Sequence, residues 1–180
     1  MRDVADIEKE MKDNDILILL IPNQNYADRI NNIVEASTRA FNKICYTTTN
    51  RPYATLLASF EKRGIKTERI IFIDSATGSF KKIESKSKVI FISSPRALTE
   101  MNIEINKVID KENVKQMLFD SLSTLLVYEQ TSTVIKFSHS IISKLRSSNV
   151  KAVLTCLKDD MDSEIIKDLS MFVDKMVEIE

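Results

Sequence analysis

Val114-Lys115-Gln116-Met117-Leu118-Phe119-Asp120-Ser121-Leu122-Ser123-Thr124-Leu125-Leu126 is the stretch whose reading decides the fold. It starts as an apolar strand, reaches an acid at Asp120, and continues through hydroxyl-bearing residues that read as a turn. A second run, Ile16-Leu17-Ile18-Leu19-Leu20-Ile21, is apolar without a break. Uninterrupted apolar strands are buried on both faces, as in a parallel sheet covered by helices, and the two runs are expected side by side at its centre.

The rest of the chain alternates the same way. Strands are predicted at 43–48, 69–74, 88–93, 150–157 and 172–179. Helical spacing joins Ile30, Ile33, Val34, Ser37 and Phe41 over 25–42, and Leu56, Leu57 and Phe60 after Pro52, with Gly64 as the stop. Leu98, Met101, Ile105 and Val108 follow Pro95. Val134, Phe137, Ile141 and Leu145 line a helix over 131–147. A shorter helix over 162–170 has Asp162 or Ser163 as its cap. Val4, Ile7 and Met11 make residues 1–15 a helical extension. Residues 75–87 read as an exposed polar loop. Strands alternating with helices give an α/β fold with a mostly parallel sheet between two helical layers. One domain over 1–180 is expected, since there is no repeat, linker or low-complexity tract.

The composition narrows the function classes. Of 180 residues, 43% are hydrophobic and 29% charged, as in an ordinary globular protein. Lys+Arg and Asp+Glu are equal at 26 each, so no global charge favours nucleic acid. The apolar runs fall well short of the roughly 20 residues that span a bilayer. Residues 1–6 lack the pattern of a signal peptide. A cytoplasmic protein without a membrane partner is expected. Cys45 and Cys156 lie in strand-like runs, and with one His they offer no metal or disulfide spacing, so buried thiols are expected. Gly64 and Gly78 are the two glycines. A glycine-rich phosphate loop needs two or three within one short turn, so none is present.

At these residues the chain resembles the RecA-like ATPases, especially the KaiC branch. The strand and turn at Asp120, Ser121, Leu122, Ser123 and Thr124 look like that family's Walker B region. Residues 143–155, a helix leading into a strand that ends in Thr155, are similar too. So is the tail from Phe172 to Ile179, although Lys175 stands where the branch usually has Gly. The resemblance implies a RecA-like fold over about residues 16–179. It also implies a phosphate loop after the first strand and a catalytic acid after the second. Residues 22–29 contain neither Gly nor Lys, and the second place holds Thr47, Thr48, Thr49 and Asn50. Asp120 alone remains, as the equivalent of the magnesium-side Asp. The chain resembles a degenerate member of the archaeal KaiC-like proteins.

The carboxyl ends of the strands should gather Asn23, Gln24, Asn25, Thr48, Asn50, Asp74, Ser93, Asp120, Ser121 and Thr155, where ligands of open α/β sheets sit. Turn and cap duty explains most of these residues equally well. Asp120 either orients a metal-bound water or accepts from the N–H groups of the turn that follows it; the second role is favoured. A ligand is expected above Asn23, Asn25, Thr48, Asn50, Arg51, Asp120 and Ser121, with Arg29 and Arg51 the nearby cations. The helix starting near Asn25 offers a free N-terminus to one anion. His139 flanks a buried stripe and reads as a packing residue. Lys81, Lys82, Lys86 and Lys88 read as a solvated loop. Tyr26, Tyr46, Tyr53 and Tyr128 are too scattered to stack nucleic-acid bases.

The leading expectation is a non-catalytic RecA-like interaction or regulatory protein. No cofactor and no catalytic residue are expected, and the partner is a protein or a second copy. The alternative is a nucleotide- or phosphate-binding protein with an unconventional loop, in which ATP and magnesium meet Asp120 with at most weak hydrolysis. A nucleic-acid accessory role using the loop at 81–88 ranks third.

Overall fold

The computed structural model describes residues 3–78 and 88–180. Lys81, Lys82, Lys86 and most of the loop expected at 75–87 lie outside them. Seven strands are described: β1 (Ile16–Ile21), β2 (Ile44–Thr48), β3 (Ile70–Asp74), β4 (Val89–Phe91), β5 (Gln116–Asp120), β6 (Lys151–Leu157) and β7 (Lys175–Glu178). The helices are α1 (Val4–Asp13), α2 (Tyr26–Ala40), α3 (Tyr53–Lys62), α4 (Leu98–Lys111), α5 (Leu122–Tyr128), α6 (Thr131–Ser147) and α7 (Glu164–Leu169).

Every strand pair is parallel, in the order β4-β3-β2-β5-β6-β1-β7. All residues of β1, β2, β3 and β5 are buried. Alternation along each strand divides the core in two. Ile16, Ile18, Leu20, Met117 and Phe119 face α4, α5, α6 and α7. Leu17, Leu19, Ile21, Tyr46 and Leu118 face α1, α2 and α3. The result is a three-layer α/β/α fold. Each large side chain moved from water to such a core contributes about 1.5–3 kcal/mol.

Several expectations need correction. β1 does not lie beside β5, because β6 stands between them and pairs with both. Strand adjacency is a long-range property that an apolar run does not encode. Pro95 lies in a turn, and α4 begins at Leu98. The turn expected after Asp120 is largely helix α5, capped by Ser121, whose hydroxyl accepts from Thr124 N–H at 3.3 Å. The last strand starts at Lys175 rather than Phe172. Just before it, the Asp174 carboxylate accepts from the N–H groups of Asp15 and Ile16 at 2.9 and 2.7 Å. Ser163 stands at the start of α7 without a side-chain cap bond.

The winding positions the site. From β2 the chain passes through α3 on one face toward β3. From β5 it passes through α5 and α6 on the other face toward β6. The adjacent carboxyl ends of β2 and β5 are therefore a topological switch point, where open α/β sheets form their crevice. In register across it stand Asp74, Thr48 and Asp120.

Candidate functional site at the carboxyl ends of the strands

Asp120 closes β5 and is fully buried. A bare carboxylate there would be costly, so its partners define the site. Tyr26, first residue of α2, donates its hydroxyl to Oδ1. Tyr46 of β2 donates to Oδ2 at 2.5 Å. Asn50 Nδ2 donates to Oδ1 at 3.2 Å. Thr155 of β6 has one hydroxyl proton and two acceptors in reach: the Phe119 carbonyl at 3.2 Å and Asp120 Oδ1 at 3.3 Å. Arg51 adds charge, with Nη2 3.8 Å from Oδ2. Burial first, and then the Asp120 charge, push both the Tyr26 and Tyr46 hydroxyls well above the ordinary tyrosine range.

The N–H groups after Asp120 go elsewhere, which corrects the expected source of its bonds. Ser121 N–H donates to Thr49 Oγ1 at 3.0 Å. The Thr49 hydroxyl faces the carbonyls of Asp120 and Ser121 at 3.2 and 3.0 Å, and Thr49 N–H donates to the Asp120 carbonyl at 2.8 Å. The Asp120–Ser121 peptide is cis. The turn-accepting role belongs instead to Asp74, which takes the N–H groups of Tyr53, Ala76 and Thr77 at 2.8, 2.8 and 2.9 Å.

The expected residues are only partly brought together. Asn50, Arg51, Asp120 and Thr155 share one cluster. Ser121 borders it as the cap of α5. Thr48 holds the backbone of Arg51, accepting its N–H at 3.2 Å and donating to its carbonyl at 2.8 Å. Asn23, Gln24 and Asn25 are exposed, and Asn25 adopts a left-handed φ of 59° without a side-chain cap bond to α2. Ser93 is bound to Glu100, its hydroxyl donating at 2.6 Å. His139 packs as expected, with its ring 4.2 Å from Phe172 and Nε2 2.6 Å from Asp168. Among the described residues no group of three or more His, Cys, Asp and Glu is placed to hold a metal.

The profile of a family described as "Family of unknown function (DUF7504)" matches residues 27–179. The chain belongs to this family. No curated protein matches it. Among solved structures, the chain is similar to the KaiC-like protein PH0186 from the hyperthermophilic archaeon Pyrococcus horikoshii OT3, with a TM-score of 0.62 and 13% identity. The match covers 91% of this chain and 70% of that one. This DUF7504 chain therefore has a RecA-like α/β fold. No helix among its described residues is long and apolar enough to cross a membrane.

Sequence reasoning missed two residues at the centre of the DUF7504 site, Tyr26 and Tyr46. Tyr46 lies two positions before Thr48, on the same side of β2, so period-two alternation points it along that side toward the strand's end. Tyr26 carries no comparable signal, because its reach to Asp120 depends on how α2 crosses the sheet.

Proposed function

We propose that this DUF7504 chain is a non-hydrolytic RecA-like protein, an interaction or regulatory module that works by presenting its surface to a protein partner. One observation carries the reading: the Asp120 carboxylate is occupied by the protein's own donors. A carboxylate has about four lone-pair sites. Tyr26 and Asn50 take both on Oδ1, which Thr155 also approaches, and Tyr46 takes one on Oδ2, whose other side faces Arg51. A magnesium-nucleotide fits this constellation poorly. Its metal-bound water would have to displace buried tyrosine hydroxyls, and residues 22–29 bring neither Gly nor Lys to a phosphate. Val127 and Met171, 76% and 74% exposed, are apolar surface that a partner could cover.

The test is phosphate release from ATP with magnesium, measured on the wild type and on Asp120→Asn. No turnover above background is expected from either protein. Turnover that vanishes in Asp120→Asn would overturn the reading.

A further inference from the structure

We propose that Arg51 is an oxyanion-binding fork that takes the carboxylate or phosphate group of a small ligand at the switch point between β2 and β5. The proposal goes beyond the non-hydrolytic reading, because it concerns a ligand and needs no turnover. It starts from unmatched hydrogen-bonding groups. Arg51 Nε and Nη2 are both closed off from solvent, and neither has a hydrogen-bond partner among the described residues. Buried donors on a cation are costly to leave unpaired, and native structures contain few of them. Nε and Nη2 form one edge of the guanidinium, with two parallel N–H groups. That edge matches the two oxygens of a carboxylate or phosphate.

Asp120 does not satisfy this edge. Its Oδ2 stands 3.8 Å from Nη2 and already accepts from Tyr46 at 2.5 Å. The acid balances the charge of Arg51 without engaging the fork. On the other side of the same carboxylate, Asn50 gives Nδ2 to Oδ1 and leaves its own Oδ1 without a partner. The cluster therefore has two free donors on a cation and one free acceptor. A hydroxy acid or a monohydrogen phosphate offers the complement: two anionic oxygens and one O–H. A metal cation does not, because the free edge repels it.

The position is also prepared. Thr48 pins the backbone of Arg51 at 3.2 and 2.8 Å, and Pro52 follows at a φ of −56°. The fork thus stands on a fixed segment, which reduces the ordering cost of binding. The Arg51 side chain keeps 19% exposure, so the residue borders solvent although this edge of it does not.

Calorimetry with inorganic phosphate, and separately with glycolate, tests the fork on the wild type, Arg51→Lys, Arg51→Gln and the surface control Arg39→Gln. Saturable binding of at least one probe is expected, unchanged in Arg39→Gln. It should weaken by about tenfold or more in both Arg51 variants, since an ammonium cannot make the side-on pair. Binding of phosphate alone assigns a phosphate ligand, and binding of glycolate alone a carboxylate. Failure of both probes to saturate the wild type overturns the proposal. So does wild-type affinity in Arg51→Lys, a variant that keeps the charge beside Asp120 and guards against loss of folding in Arg51→Gln. A turnover assay has no bearing on either outcome.

Discussion

Tyr46 on β2 and Asp120 on β5 are joined side chain to side chain at 2.5 Å, in the interior of the sheet's carboxyl edge. Two neighbouring strands are thus tied by more than their ladder. Tyr46→Phe removes this donor and leaves Oδ2 facing Arg51 alone. A loss of about 1–3 kcal/mol is expected from an orphaned buried acceptor, read as a lower urea midpoint with an unchanged slope. Asp120→Ala orphans three donors and unpairs Arg51, and should cost about 3–5 kcal/mol. If both midpoints match the wild type, Asp120 is not a structural hub.

Alkaline pH should unfold the protein through the same cluster. Burial, followed by the Asp120 charge, raises Tyr26 and Tyr46 in the folded state. A raised folded value means that the folded chain keeps protons the unfolded chain releases. Their contribution is full below the unfolded tyrosine value of about 10 and declines as pH rises past it. Phenolate absorbance of the folded protein should lack the contributions of Tyr26 and Tyr46, read as the difference from Tyr26→Phe and Tyr46→Phe, until unfolding. Ionisation of all four in the folded protein would remove this account.

How much of this was legible in the residues differs by element. The strands were, because Ile16–Ile21 and the run ending in Asp120 are apolar without interruption, and only a doubly covered sheet accommodates that. The place of β1 was not, since β6 is inserted by packing rather than by pattern. α5 was read as a turn because seven residues span only two helical turns, too few for a period to show. Asn50, Arg51 and Asp120 were legible as strand-end polar residues. Their partner Tyr46 was hidden by its chemistry, since a buried aromatic reads as core until its hydroxyl is traced.

Acid pH acts at another corner. Burial pushes the Asp174 carboxyl up, but the N–H groups of Ile16 and Asp15 and the Arg146 guanidinium outweigh it, and the group titrates below its ordinary value. A depressed folded value gives stability that is present above about pH 4 and is lost as pH falls through the folded value. Asp174→Asn should flatten the acid limb of a thermal-denaturation profile relative to the wild type. An unaltered limb would place the acid sensitivity elsewhere.

Gly64 ends α3 at a φ of +70°, with no atom within 4 Å of the position a Cβ would take. Space is therefore not the obstacle to a side chain; backbone conformation is. Gly64→Ala should cost about 1 kcal/mol, and Gly64→Asn less, because Asn tolerates the left-handed region. Equal stability of all three proteins would show that the turn relaxes.

Cys45 and Cys156 are fully enclosed, and burial pushes the Cys45 thiol up to about 12 and raises Cys156 as well. Thiolate is the reactive form. Neither should react with a thiol reagent at neutral pH until denaturant is added, when two equivalents should appear. Fast labelling of the native protein would mean that the sheet opens locally.

The order of the strands also bears on how the chain is made. β1 leaves the ribosome well before its partners β6 and β7, which lie at residues 151–157 and 175–178. At synthesis rates of about 5–20 residues per second, Ile16–Ile21 waits about 7–30 seconds for its neighbours. Six unbroken aliphatic residues are then a sticky segment without its native mates. α1 and α2, which flank β1 in sequence and pack together over it, are the local shelter available in that interval. A chain shortened before Lys151 would leave this run permanently unpaired on both edges, so premature termination products should be claimed by chaperones and proteases rather than accumulate.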